Sequence, residues 1–367
     1  MTLKRTSSAA FSIFLIFSAS FLFLVVPLNA APSKISAVYA FGDSTLDPGN
    51  NNHLGTLFRG DHPPYGRDFP GQIATGRFTD GRLMTDFTVS SLGIKDLLPA
   101  YLDPRVSNLD LLTGVSFASA GTGIDDLTAT ISNVAHMSTQ LHYFEQCLAR
   151  MQSTVGREAA SRIVEDALFA IGIGTNDMIF NFYDLPTRRG QFSLPAYHDF
   201  LLHNLESFVM RLYSMGARRF SISGLPPIGC LPVQETAGSI LPIPGGHMLQ
   251  RVCNDAENQD SQAYNAKLQA LVLRLQATLP GTRFAYVDIY NPLLDMITNP
   301  GKYGFVETRR GCCGTGLVEM GGMCNAATPV CPDPSKFVFW DAVHPTQTTY
   351  QILANIFTAT VIPHLVN

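Results

Sequence analysis

Ala37-Val38-Tyr39-Ala40-Phe41-Gly42-Asp43-Ser44 is the stretch that decides the fold. Five apolar residues run on without a polar partner and then stop at a glycine, an acid and a hydroxyl. A run with no polar face suits a strand covered on both sides, as in a parallel sheet between helices. Residues 167–173, 219–222 and 284–287 read the same way, and Phe337-Val338-Phe339-Trp340 is a further strand-like run. Between them lie helical patterns. Leu201, Leu205, Phe208, Val209, Leu212 and Met215 recur at helical spacing before Gly216, and Tyr264, Leu268, Leu271, Leu275 and Leu279 do so before Pro280-Gly281. Strands alternating with helices predict an α/β fold built on a doubly wound, mostly parallel sheet. No Ser/Gly/Pro-rich linker divides the chain, which predicts one domain.

Composition agrees with a large core. Of 367 residues, 46% are hydrophobic and 15% charged, which excludes a disordered tail, a collagen-like fibre and a coiled coil. The formal charge of −4 carries no basic excess, so nucleic acid is not expected as a partner. No repeat of 20 to 50 residues points to a solenoid or propeller.

Residues 1–31 read as a secretory signal. Lys4 and Arg5 precede an almost unbroken apolar run over 9–28, and Asn29-Ala30-Ala31-Pro32-Ser33 supplies small residues for cleavage near Ala30 or Ala31. An uncleaved membrane anchor is the competing reading, but no stop-transfer flank follows. The mature chain, 32–367, would then carry 23 bases against 29 acids, a net charge of −6, and be extracellular with no membrane span. All seven cysteines remain in it: Cys147, Cys230, Cys253, Cys312, Cys313, Cys324 and Cys331. In a secreted chain they are expected as disulfides of open connectivity, and the odd number leaves one free or paired between chains. The 312–331 spacing matches no paired zinc-ligand set. No N-x-[ST] sequon occurs, so no N-linked glycan is expected.

The chemistry gathers where the apolar runs end. The first empties into Gly42-Asp43-Ser44, the run at 167–173 into Gly174-Thr175-Asn176-Asp177, and the aromatic run into Asp341-Ala342-Val343-His344-Pro345. In doubly wound sheets ligands bind at these carboxyl ends. A serine is a poor nucleophile at neutral pH unless a histidine takes its proton and a carboxylate holds that histidine. Ser44, His344 and Asp341 fit those three roles, and among nine histidines His344 alone pairs an Asp three residues back with an aromatic strand. Donors for a tetrahedral oxyanion are sought in the Ser44 N–H, the Asn176 amide and a glycine of Ala118-Ser119-Ala120-Gly121-Thr122-Gly123.

Two look-alikes fail. Gly172-Ile173-Gly174-Thr175-Asn176-Asp177 begins like a dinucleotide loop but ends in a carboxylate that would repel a pyrophosphate. The G-x-S-x-G elbow is absent around Ser44. A metal hydrolase built from Asp43, Asp47, Asp341 and His344 would leave Asn176 and the glycine loop without a purpose.

Phe41-Gly42-Asp43-Ser44, Gly121, Gly174-Thr175-Asn176-Asp177 and Asp341-Ala342-Val343-His344 resemble, in order, the four blocks of the SGNH (GDSL) hydrolases. The text between them is similar to the plant GDSL esterase/lipase family: Asp47-Pro48-Gly49-Asn50-Asn51-Asn52, Pro64-Tyr65-Gly66-Arg67-Asp68-Phe69, Thr75-Gly76-Arg77-Phe78-Thr79-Asp80-Gly81-Arg82, Gly224-Leu225-Pro226-Pro227-Ile228-Gly229-Cys230 and Cys312-Cys313-Gly314-Thr315-Gly316. The resemblance spans nearly the whole mature chain. It implies a three-layer α/β/α sandwich and a secreted, cofactor-free carboxylic-ester hydrolase acting on a small-molecule lipid or other acyl ester. Position by position it implies Ser44 as nucleophile, Asp341 and His344 as the rest of a triad, and Ser44, Gly121 and Asn176 as the oxyanion hole. An acyltransferase would use the same triad with an alcohol acceptor, and a secreted binding protein would be the non-enzyme alternative. The apolar, turn-rich stretch 238–246 reads first as an ordinary surface loop, with a flap over an acyl chain as the alternative.

Overall fold

In the computed structural model the described residues are 1–2 and 35–366. The expected signal segment therefore lies outside the described residues but for its first two. Strands β1 (Val38–Gly42), β2 (Leu168–Gly172), β3 (Arg219–Ser223) and β4 (Arg283–Val287) form a parallel sheet in that order. Each falls within a residue of its expected bounds, as suits a short apolar run buried on both faces of a parallel sheet.

Residues 115–118 extend the sheet beyond β1. Ala40 N–H donates to the Val115 carbonyl at 3.2 Å, and Phe117 N–H donates back to the Ala40 carbonyl at 2.8 Å. After β1 the chain thus turns to one side, and then crosses to β2 on the other. The strand order reverses at β1, which opens a crevice above the carboxyl ends of β1 and β2.

Strand pleating sends alternate side chains of β1 to opposite layers. Tyr39 and Phe41 are buried with Phe144 of the helix Met137–Val155 and Phe208 of the helix Leu194–Ser214. Val38 and Ala40 join Val89 of the helix Met84–Ser91 and Phe357 of the helix Gln347–Thr360. The two expected helices are Leu194–Ser214 and Asp255–Thr278. The described residues 35–366 form one compact unit.

One strand sits elsewhere than expected. Phe337–Phe339 (β6) pairs in parallel with Glu307–Gly311 (β5) in a separate two-stranded sheet, not with the main one. Its cysteine-rich surroundings explain this. Cys312 pairs with Cys331 and Cys313 with Cys324, and Cys313 N–H donates to the Trp340 carbonyl, so β6 is laced to the β5 segment. Cys230 pairs with Cys253, and Cys147 is free and buried.

Candidate active site

β1 ends because Gly42 can do what no other residue could. It sits at φ +140° opposite Gly172, and a Cβ there would lie 1.9 Å from the Gly172 carbonyl oxygen. The chain then turns, with Leu46 N–H donating to the Asp43 carbonyl, and this turn presents Ser44.

His344 Nε2 lies 2.7 Å from Ser44 Oγ across 300 residues of sequence. On its other side Nδ1 lies 2.9 and 2.8 Å from the two Asp341 oxygens. A carboxylate only accepts, so Nδ1 carries the proton and Nε2 is left to accept from the Ser44 hydroxyl. Asp341 is itself fixed. Its Oδ1 accepts from the Val343 and His344 backbone N–H groups at 2.9 and 2.7 Å, and its Oδ2 accepts from the Tyr65 hydroxyl at 2.7 Å. Phe78 packs against the imidazole with ring centroids 4.9 Å apart.

Asn176 enters from the end of β2, just before the π-helical turn Asp177–Asp184. Its Nδ2 donates to the Thr122 carbonyl at 2.9 Å, and it lines the same cleft as Ser44 and His344. Gly121 also lines that cleft at φ +88°, whereas the Cα of Gly123 faces the Asp177 carboxylate and Thr128. Among the described residues, neither the Ser44 nor the Gly121 backbone N–H donates to a protein acceptor. Four of the five expected site residues, Ser44, Gly121, Asn176 and His344, therefore line one cleft, and Asp341 is buried behind His344.

Sequence reasoning missed what holds the cleft together. Asp47 Oδ2 accepts from Ala120 N–H at 3.0 Å, and Asn51 Nδ2 donates to the Ala120 carbonyl at 2.8 Å. Asn50 Nδ2 donates to the carbonyls of Ser116 and Ala118. The Asp-Pro-Gly-Asn-Asn-Asn run thus staples the glycine loop through its backbone. Burial pushes the Asp47 carboxyl up to about 6 despite four backbone donors. Asp177 does similar work, accepting from Ile124 N–H, Asp125 N–H and the Thr128 hydroxyl, while burial pushes it up to about 7. The family-like motif pointed at both acids, but only the fold shows which amides they hold.

The sequence already disfavours a metal site and favours an ordinary surface loop at 238–246. Asp43 and Asp47 do not converge with Asp341 and His344 on a metal: Asp43 accepts from the Thr45 N–H and hydroxyl, and Asp47 is spent on backbone amides. Among the described residues no group of three or more His, Cys, Asp or Glu side chains is placed to hold an ion. The stretch 238–246 does not line the cleft. Gly245 and Gly246 instead pack against Asn254 and Gly238, in a surface segment tied down by the Cys230–Cys253 bridge.

The cleft encloses about 240 Å³, and apart from the four polar contributors its walls are apolar, formed chiefly by Phe58, Ile179, Phe180, Met320 and Met323. Such a site pairs an activated hydroxyl with room for a hydrocarbon chain.

Comparison with known proteins agrees. The model of the GDSL-like lipase/acylhydrolase family matches residues 38–357. "GDSL esterase/lipase At2g40250" of Arabidopsis thaliana is 54% identical over 328 residues, 89% of this chain and 90% of that protein. "GDSL esterase/lipase At2g31540" of the same plant is 44% identical over 340 residues, covering 91% and 92%. "GDSL esterase/lipase At2g31550" is 46% identical over 321 residues, covering 87% of each.

Proposed function

The chain belongs to the GDSL-like lipase/acylhydrolase family and is a carboxylic-ester hydrolase, and we propose that Ser44 is its nucleophile, His344 its general base and Asp341 the group that orients His344. The 2.7 Å contact from Nε2 to Oγ, with a carboxylate on the far nitrogen, carries this reading.

His344 Nε2 takes the Ser44 proton as Oγ attacks the ester carbonyl. The carbonyl π electrons move to oxygen, and the Ser44 and Gly121 N–H groups and the Asn176 amide receive the oxyanion. When the intermediate collapses, the imidazolium gives its proton to the departing alcohol oxygen and an acyl-Ser44 ester remains. Water then replaces the alcohol. His344 removes a proton from it, hydroxide adds to the acyl carbon, and collapse releases the acid while the proton returns to Oγ. The apolar walls at Phe58, Ile179, Phe180 and Met320 suit the acyl limb of a lipid-like ester.

The hydrolase domain is residues 32–367, secreted once residues 1–31 are removed. Three disulfides support an oxidising destination, and among the described residues no helix is long and apolar enough to cross a membrane. N-terminal sequencing of the exported protein, with a start at Ala31 or Pro32, tests that part. For the chemistry, His344→Ala and Ser44→Ala each abolish p-nitrophenyl butyrate hydrolysis while the melting curve persists.

A further inference from the structure

The run Pro64-Tyr65-Gly66-Arg67-Asp68-Phe69 has no part in the chemistry above, yet Tyr65 reaches it. Only 1% of Tyr65 is exposed, and its ring is held edge-on by Phe78 and Trp340. Its hydroxyl makes two bonds of 2.7 Å, donating to Asp341 Oδ2 and accepting from the Gly321 backbone N–H. Burial first, and then the Asp341 charge, hold the phenol well above its usual range, so it stays a donor.

The two partners belong to different parts of the site. Asp341 Oδ1 has two backbone donors besides the His344 imidazole, whereas among the described residues Oδ2 is shared between Tyr65 and His344. The phenol therefore draws off carboxylate charge that would otherwise stabilise the imidazolium. Gly321 stands between Met320 and Met323 in the cleft wall, and Cys324 ties that wall to Cys313. One hydroxyl joins the wall of the acyl cleft to the carboxylate of the triad.

We propose that Tyr65 is a positioning residue for ester hydrolysis, setting the basicity of His344 through Asp341 and seating the 320–323 wall against the acyl chain through Gly321. This rests on the roles given above to Ser44, His344 and Asp341. It explains why a tyrosine is needed here and not another buried aromatic: the ring fills the space, but only the hydroxyl donates and accepts at once.

The test is Tyr65→Phe, which keeps the ring. Two readouts are taken, the acid limb of the kcat/KM profile with p-nitrophenyl acetate and the octanoate-to-acetate ratio of kcat/KM. Without the donor more charge stays on Asp341, His344 becomes more basic, and the acid limb moves up by about half a pH unit. The ratio falls roughly five-fold, because only the longer chain presses on the loosened wall. If either readout stays at its wild-type value, the proposal is overturned, whatever happens to thermal stability. Should the Phe variant not fold, 3-fluorotyrosine at position 65 keeps ring and hydroxyl but donates more strongly. It moves the acid limb down, and an unmoved or raised limb overturns the proposal. Wild-type protein that takes up no fluorophosphonate on Ser44 strikes instead at the assignment beneath it, so the two failures are distinguishable.

Discussion

Gln140 grips Gly42 by both backbone groups: its Oε1 accepts from the Gly42 N–H and its Nε2 donates to the Gly42 carbonyl, each at 2.9 Å. Gly42 ends β1 two residues before Ser44, and its carbonyl also accepts from the Ser119 N–H at 3.0 Å. A fully buried side chain from the helix Met137–Val155 thus supplies the acceptor that the 115–119 segment does not offer the Gly42 N–H. Gln140→Met keeps the volume and orphans the Gly42 N–H. It is expected to lower stability by about 2 kcal/mol in urea unfolding, with a fall in kcat as the Ser44 turn loosens.

Asn176→Ala removes one proposed oxyanion donor and leaves the Ser44–His344 contact untouched. kcat for p-nitrophenyl butyrate falls on the order of 10²- to 10³-fold with little change in KM, because the amide acts on charge that develops only in the transition state.

Ile179→Trp fills the apolar cleft without touching Ser44 or His344. The octanoate-to-acetate ratio of kcat/KM falls on the order of ten-fold or more, read from initial rates across a p-nitrophenyl ester series.

Glu257 gives the fold a pH dependence. It is 2% exposed in the first turn of the helix Asp255–Thr278, where Asn254 Nδ2 donates to its Oε1, and its Oε2 has no partner among the described residues. Burial first, and then Asp184 and Asp260, push its carboxyl up to about 8. The unfolded chain releases that proton near about 4.3. Stability from holding it is whole below that pH and is lost as pH rises through about 8. Glu257→Gln keeps the neutral shape. It flattens the denaturation midpoint between pH 5 and 9 and exceeds wild type at pH 9.

The fold was readable because its information is local. The five-residue run before Gly42 has no amphipathic alternative, and the pairs Gly216 and Pro280-Gly281 stop helices whatever surrounds them. The contact of Ser44, His344 and Asp341 was readable because Asp341 and His344 share one turn and Ser44 follows a strand. What stayed hidden depends on distant backbone. Nothing near Tyr65 in sequence announces that its hydroxyl meets Asp341, 276 residues away. The role of Asp47 stayed hidden because its four backbone partners carry no side-chain signature. At 238–246 a flap stayed open as the alternative because apolar turn residues are shared by lids and by surface segments packed on a helix start. The strand at 337–339 looked like a member of the main sheet because a strand does not name its partner, and here its backbone pairs with Glu307–Gly311.

If His344 makes Ser44 nucleophilic as proposed, mass spectrometry of the fluorophosphonate-treated enzyme shows one adduct per chain, on the peptide holding Ser44, and none in folded Ser44→Ala or His344→Ala protein. An adduct on another residue, or undiminished labelling and ester turnover in Ser44→Ala, refutes that role.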